Sequence, residues 1–208
     1  MSWGLIVPVS ILWAAATWFF RHYRVWIVYY LLGTVGLAYL IVAVVGRVLM
    51  FEPVVAHSVA IAVHNILNFI GIESQVFLDA PGVLLVLVIT QDVGWTALQI
   101  GVESSGLLEM AVLFSLVMFY PGWQGGKRLW LGLIGISLTW AANVARMVLI
   151  AFMLHFLGKD VLVLAHTFLG KIFFFAMTIA IYWMIVTSTT LKDIRNRKVL
   201  MPREGTSL

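Results

Sequence analysis

The chain has 208 residues, of which 62% are hydrophobic and only 11% are charged. Soluble globular domains carry about 45–50% apolar and about 25% charged residues, so this composition excludes a water-soluble single domain. The net charge is +4 and there is no cysteine, which excludes a disulfide framework and a thiolate metal site. The basic residues suit the loops of a membrane protein, and we expect no nucleic-acid partner, cofactor or metal.

The N-terminal part contains two apolar runs, each long enough for a helix of about 20 residues that spans a bilayer. The first run, 3–20, is followed by a basic cluster that includes Arg21 and Arg24. Because no basic segment precedes it, it does not resemble a cleavable signal peptide, and we expect a retained helix with its N-terminus outside. The second run, 25–45, returns to the outside and stops at Arg47.

The segment 47–103 differs from the rest because polar residues interrupt the apolar ones throughout it. Within it, 54–72 has helical character, but its polar side chains recur at roughly helical spacing: His57, His64, Asn65 and Asn68. This pattern favours a helix that lies in the membrane interface over one that spans it.

Two short β-rich runs follow this helix. The runs 75–79 and 83–90 flank the turn sequence Asp79-Ala80-Pro81-Gly82, which predicts a β-hairpin. The run 95–102 is a candidate third strand. We expect this small sheet on the extracytoplasmic side, together with the interfacial helix.

Three further apolar runs, 104–120, 129–155 and 161–187, predict three more spans. Lysine and arginine concentrate in short cytoplasmic loops. A topology with Arg21, Lys127 and the tail inside places nine of the 13 basic residues in the cytoplasm. The sequence therefore predicts an all-α polytopic protein of the plasma membrane, with about five transmembrane helices, an interfacial helix and a small hairpin.

We expect one membrane-embedded domain in four parts. These are a two-helix start (1–46), an extracytoplasmic segment (47–103), a three-helix catalytic core (104–187) and a basic cytoplasmic tail (188–208).

Polar residues inside the predicted spans are the strongest functional signal, since a charge in the bilayer costs a few kcal/mol. Arg146 lies about 26 Å along its span from the inner end, with Asn143 one turn earlier on the same face. The predicted topology brings Ser104, Arg146 and His166 to one depth near the outer surface. A hydroxyl, a cation and an imidazole are the parts of an acyl-transfer site. Structural roles are the alternatives: a helix cap for Ser104, a snorkelling cation for Arg146 and a packing role for His166.

Two more charges, Glu109 and Lys171, lie at similar predicted depth on helices that enter from the outside. A buried ion pair between them would hold the two helices in register. The alternative is that Lys171 snorkels along the lipid face.

Three segments resemble, in order, the motifs of the exosortase/archaeosortase family, and most closely those of the exosortase G type. They are 103–109 (ESSGLLE), 143–146 (NVAR) and 164–171 (LAHTFLGK), and the resemblance extends over roughly 77–187. It implies a membrane transpeptidase that recognises a C-terminal sorting signal on a secreted protein, consisting of a short motif, a membrane helix and a basic cluster. Such an enzyme cleaves near the motif and transfers the new carboxyl end to an acceptor, for which a lipid or glycan amine is a candidate.

The resemblance also implies site residues. The family uses Cys, Arg and His, which correspond here to Ser104 as the nucleophile position, Arg146 for oxyanion or substrate stabilisation and His166 as general acid/base. Supporting residues are expected at Glu103, Ser105, Asn143, Glu109 and Lys171.

Position 104 departs from the family pattern, because serine stands where the family has cysteine. An alcohol needs a much stronger base than a thiol to become a nucleophile, so we expect this form to be inactive or slow. Either serine replaces a native cysteine, which the intact remainder of the site favours, or the chain is a natural serine variant. An intramembrane serine protease and a small transporter or assembly factor are the alternative functions.

Overall fold

The computed structural model describes residues 3–77, 84–90, 94–100 and 102–192. Most of this chain is helical. The helices are α1 (Trp3–His22), α2 (Trp26–Leu40), α3 (Phe51–Phe69), α4 (Val102–Ser105), α5 (Leu107–Phe119), α6 (Gly125–Leu157) and α7 (Gly170–Tyr182). π-Helical turns continue α2 (Ile41–Val48), precede α7 (Leu164–Leu169) and follow it (Trp183–Thr187), and a short 3-10 turn covers Lys159–Val161.

Three stretches of the described chain are long and apolar enough to cross a membrane, namely Trp26–Val48, Gly125–Leu157 and Leu164–Lys192. They coincide with the second, fourth and fifth predicted spans. The first predicted span is helical as α1, so a membrane protein built from helices is the architecture that the structure supports. The total of five spans stays a prediction.

The third predicted span, 104–120, is not one helix. The structure breaks it at Gly106, whose φ of +75° lies in the left-handed region that glycine adopts without a Cβ penalty. The helix that follows, α5, has 13 residues and is therefore about 20 Å long, shorter than a bilayer core of about 30 Å. A continuous span beginning at Ser104 was therefore the wrong prediction.

Three antiparallel strands connect α3 to α4. They are β1 (Ser74–Phe77), β2 (Leu84–Thr90) and β3 (Gly94–Ile100), in the order β1-β2-β3. Ser74 pairs with Val88, and Leu84 pairs with Ile100. The predicted turn sequence 79–82 and Asp92 lie outside the described residues, as do the tail residues from 193 onward.

Helix α3 packs along α6, and this contact forms the largest buried cluster. The contributions of α3 include Val59, Val63 and Leu67, each with no exposed surface. The indole Nε1 of Trp140 on α6 donates to Ser58 Oγ on α3 at 3.0 Å. The predicted interfacial helix therefore buries one face on the protein, next to the part of α6 that carries Asn143 and Arg146.

Candidate active site at the break between two helices

The structure brings Ser104, Asn143 and Arg146 together at the break between α4 and α5. Ser104 is 7% exposed, Asn143 is fully buried and Arg146 is 6% exposed. The side-chain amide Nδ2 of Asn143 donates to the main-chain oxygen of Ser104 at 2.8 Å, and Arg146 Nη2 approaches the same oxygen at 3.4 Å. Two neighbouring turns of α6 thus hold the main chain of the predicted nucleophile position.

A hydroxyl contact spans the break itself. The Leu107 N–H donates to Ser105 Oγ at 3.3 Å, and Ser105 has no exposed surface. The N-cap residue of α5 is Gly106, which has no side chain with which to cap the helix, and Ser104 lies within α4. The capping role considered for Ser104 is therefore not what the structure shows for α5.

Arg146 lies in mostly apolar surroundings. Its guanidinium carbon is 4.6 Å from the centre of the Phe174 ring on α7, and Nη2 is 4.0 Å from Met147 Sδ. The carboxylate of Glu109, on the first turn of α5, interacts with it electrostatically. A cation over an aromatic face and a partial counter-charge both offset the cost of burying the guanidinium.

Several polar atoms on this face of α6 have no hydrogen-bond partner within the described chain. They are Thr139 Oγ1, Asn143 Oδ1 and Arg146 Nε. The three residues follow each other at helical spacing and form one polar stripe. Because an unsatisfied buried polar group costs about 1–3 kcal/mol, a stripe of them is expected where a ligand supplies the missing partners.

His166 is half-buried on the π-helical stretch Leu164–Leu169 that precedes α7. Its neighbour Ala165 belongs to the same buried cluster as Met147 and Ile150 on α6. Helix α7 continues along α6, where Arg146 meets Phe174 and a Cβ on Gly170 would lie 2.7 Å from Ile150 Cδ1. The structure thus places His166 on the segment that packs against α6, and its common depth with Arg146 stays a prediction.

The other predicted supporting residues do not all lie at the site. Lys171 is exposed, and Arg146 is the cation whose charge interacts with that of Glu109. No Glu109–Lys171 ion pair forms within the described part of the chain, which contradicts that prediction. Arg146 on α6 instead lies over the Phe174 ring on α7. Glu103 belongs to α4, but its side chain lies outside those that the structure describes.

An apolar cavity of about 680 Å³ adjoins the polar stripe. Its lining includes Leu107 and Met110 on α5 and Trp140 on α6. Leu107 directly follows Gly106, and Trp140 lies one turn before Asn143. The Trp140 indole is bonded to Ser58, whose hydroxyl donates to the Val55 carbonyl at 2.7 Å. These polar groups of the wall are already paired, so the cavity suits an apolar occupant.

Two contacts of the site were not predicted from the sequence. Phe174 lies 28 positions after Arg146, and apolar periodicity makes it an ordinary packing residue. The Glu109 carboxylate was assigned to the wrong cation. Only the register between α6, α5 and α7 decides both contacts, and no local pattern encodes that register.

No metal-binding group of three or more His, Asp or Glu side chains occurs among the described residues. Comparison with known proteins gave no further guide: no family model matches the chain, and neither the curated proteins nor the solved structures include a significant match.

Proposed function

We propose that this chain is a membrane-embedded peptidase or transpeptidase of the exosortase type, in which residue 104 is the nucleophile position and serine makes the site inactive or slow. One observation carries the proposal. The buried cation of Arg146 contacts the main chain of Ser104, and its Nε–H has no acceptor among the described residues. A fixed donor next to a nucleophile position is the arrangement that stabilises an oxyanion.

The chemistry with a thiol at position 104 has two steps. The sulfur attacks the carbonyl carbon at the cleavage site, the C–N bond breaks, and the leaving amine takes up a proton, which leaves a thioester. An acceptor amine then attacks the thioester carbon, the C–S bond breaks and the thiol regains a proton. Arg146 stays protonated throughout, so its part is to stabilise the negative carbonyl oxygen in both steps.

His166 is the candidate for the proton transfers, because an imidazole titrates near neutral pH. It lies in the segment Leu164–Leu169, directly before α7, whose Phe174 ring meets the guanidinium of Arg146. This segment is π-helical, and such distortions are frequent at functional sites.

The proposed substrate is a secreted protein with a C-terminal motif, a membrane helix and a basic cluster. The apolar cavity beside the stripe supports the membrane-helix part of this proposal, since the few polar groups in its wall already have hydrogen-bond partners. The polar stripe suits the peptide motif that precedes such a helix. We assign the site to the extracytoplasmic side of the plasma membrane, as the charge bias predicts.

Ser104→Cys tests this function. Co-expressed with a reporter that ends in a sorting signal, the Ser104→Cys chain should cleave the reporter at least tenfold faster than the serine form, because a thiolate forms readily beside a cation. Ser105→Cys is the matched control, since it places a thiol on the adjacent residue, which is also buried. Equal cleavage by all three chains would contradict the proposal, as would cleavage confined to the Ser105→Cys chain.

A further inference from the structure

Asn143 touches both sides of the break that carries residue 104. On one side its Nδ2 donates to the Ser104 carbonyl at 2.8 Å. On the other side its Cγ and Nδ2 lie 3.0 Å from where a Cβ on Gly106 would stand. The amide therefore packs into the space that a residue without a side chain leaves open.

The two donors to the Ser104 carbonyl are unequal. Protein N–H···O bonds centre on about 2.9–3.0 Å, so the Asn143 bond at 2.8 Å is a full hydrogen bond and the Arg146 contact at 3.4 Å is a weak one. Asn143 thus satisfies the carbonyl largely by itself. Arg146 is left with donors that no acceptor within the described chain fully uses, including Nε.

We infer that Asn143 is the positioning residue of this site: it holds the main chain of residue 104 so that the guanidinium of Arg146 is free to turn to the reacting groups. The inference rests on the proposed function for the role of Arg146. Without Asn143, Arg146 would be the one remaining side-chain donor to this carbonyl among the described residues. The cation would then be drawn onto the Ser104 carbonyl and away from the side chain of residue 104 and the substrate.

The chain contains no cysteine, so Ser104→Cys introduces a single thiol whose reactivity can be measured directly. We would follow alkylation by iodoacetamide as a function of pH in the purified full-length Ser104→Cys protein. Adding Asn143→Leu, which keeps the side-chain size, should raise the midpoint of this profile by about one pH unit, because the cation no longer favours the thiolate. Asn143→Gln keeps an amide donor, so it should raise the midpoint by less than Asn143→Leu does.

Thr139→Val is the matched control. Thr139 is fully buried in the same stripe, and its Oγ1 also has no partner in the described chain, but it lies one turn before Asn143 on α6, and neither side-chain contact to the Ser104 carbonyl comes from it. This change should leave the midpoint where it is. If Asn143→Leu fails to fold, Asn143→Ala gives the same comparison, since it removes the donor without adding a charge.

An unchanged midpoint in the folded Asn143 variants would overturn the inference, and so would an equal shift in Thr139→Val. The alkylation needs no sorting substrate. A midpoint that shifts as expected in a protein that cleaves no reporter would therefore refute the proposed function and still support the positioning role of Asn143.

Discussion

At the scale of single residues, the buried guanidinium of Arg146 is the feature that most needs a physical cause. A charged side chain within a membrane span costs a few kcal/mol. The Phe174 ring and the Glu109 charge offset part of this cost, yet Nε stays unpaired within the described chain. A buried cation that keeps unused hydrogen-bond donors is expected at a site where a ligand supplies the missing acceptors.

His166 is the residue whose role a mutation can decide most sharply. In the Ser104→Cys protein, His166→Ala should slow cleavage of a peptide amide by about 100-fold or more, the usual contribution of a general acid or base. An ester of the same sequence should lose much less, because its leaving group needs less help from an acid. Paired rate measurements on the two substrates check this expectation.

His155→Ala is the control for that experiment, since His155 is a second half-buried histidine near the end of α6. Equal rates for the parent and His166→Ala on both substrates would remove the imidazole from the mechanism.

The sequence predicts part of this site well. Ser104, Asn143 and Arg146 could be grouped because polar residues in apolar runs are rare, and because charge bias orients the helices that carry them. The contact of Arg146 with Phe174 could not be predicted, because it depends on how far α7 slides along α6.

At the scale of elements, the break at Gly106 separates α4 from α5 and turns the Ser104 carbonyl towards α6. Gly106→Ala should destabilise the protein by more than about 1–2 kcal/mol, which is the cost of left-handed backbone with a Cβ. The destabilisation should exceed this backbone cost because the new methyl group would also lie 3.0 Å from Asn143. Thermal unfolding in detergent measures the effect.

Gly71→Ala separates the two contributions. Gly71 has a φ of +84°, but no atom of the described residues lies within 4 Å of its Cβ position, so this variant carries the backbone strain alone. Only Gly106→Ala should also slow alkylation of a thiol introduced by Ser104→Cys. Matching behaviour of the two glycine variants in both measurements would contradict a role for the break in the site.

The elements themselves were predictable to different degrees. Long apolar runs indicated the stretches Trp26–Val48, Gly125–Leu157 and Leu164–Lys192 as possible spans. The interruption at Gly106 was missed because apolar residues continue after it, so hydropathy alone does not distinguish one continuous helix from two. A single glycine after two serines is a weak local signal, and the backbone conformation there depends on packing against Asn143.

At the scale of the whole molecule, the topology decides which surface the site faces. Single thiols introduced by Asp79→Cys and Gly126→Cys can be probed with an impermeant reagent in intact cells, because the chain has no cysteine of its own. We expect position 79 to react and position 126 to react only after the cells are opened. This expectation follows from the charge distribution, because nine of the 13 lysine and arginine residues lie in the segments assigned to the cytoplasm.

Labelling of position 126 but not of position 79 in intact cells would show that the chain has the opposite orientation in the membrane. The site could then not meet a secreted substrate from the outside, and the sorting function would have to be abandoned. The contacts among Ser104, Asn143 and Arg146 would be unaffected, because they do not depend on the orientation of the chain in the membrane.

The central claim is that residue 104 carries the acyl group. Incubating the purified Ser104→Cys protein with a sorting-signal peptide and no acceptor amine should accumulate a thioester. Peptide mass spectrometry should locate the acyl mass on the fragment that contains position 104, and hydroxylamine should release it. Cleavage of the peptide with no adduct at position 104, or with an adduct on another residue, would contradict the account.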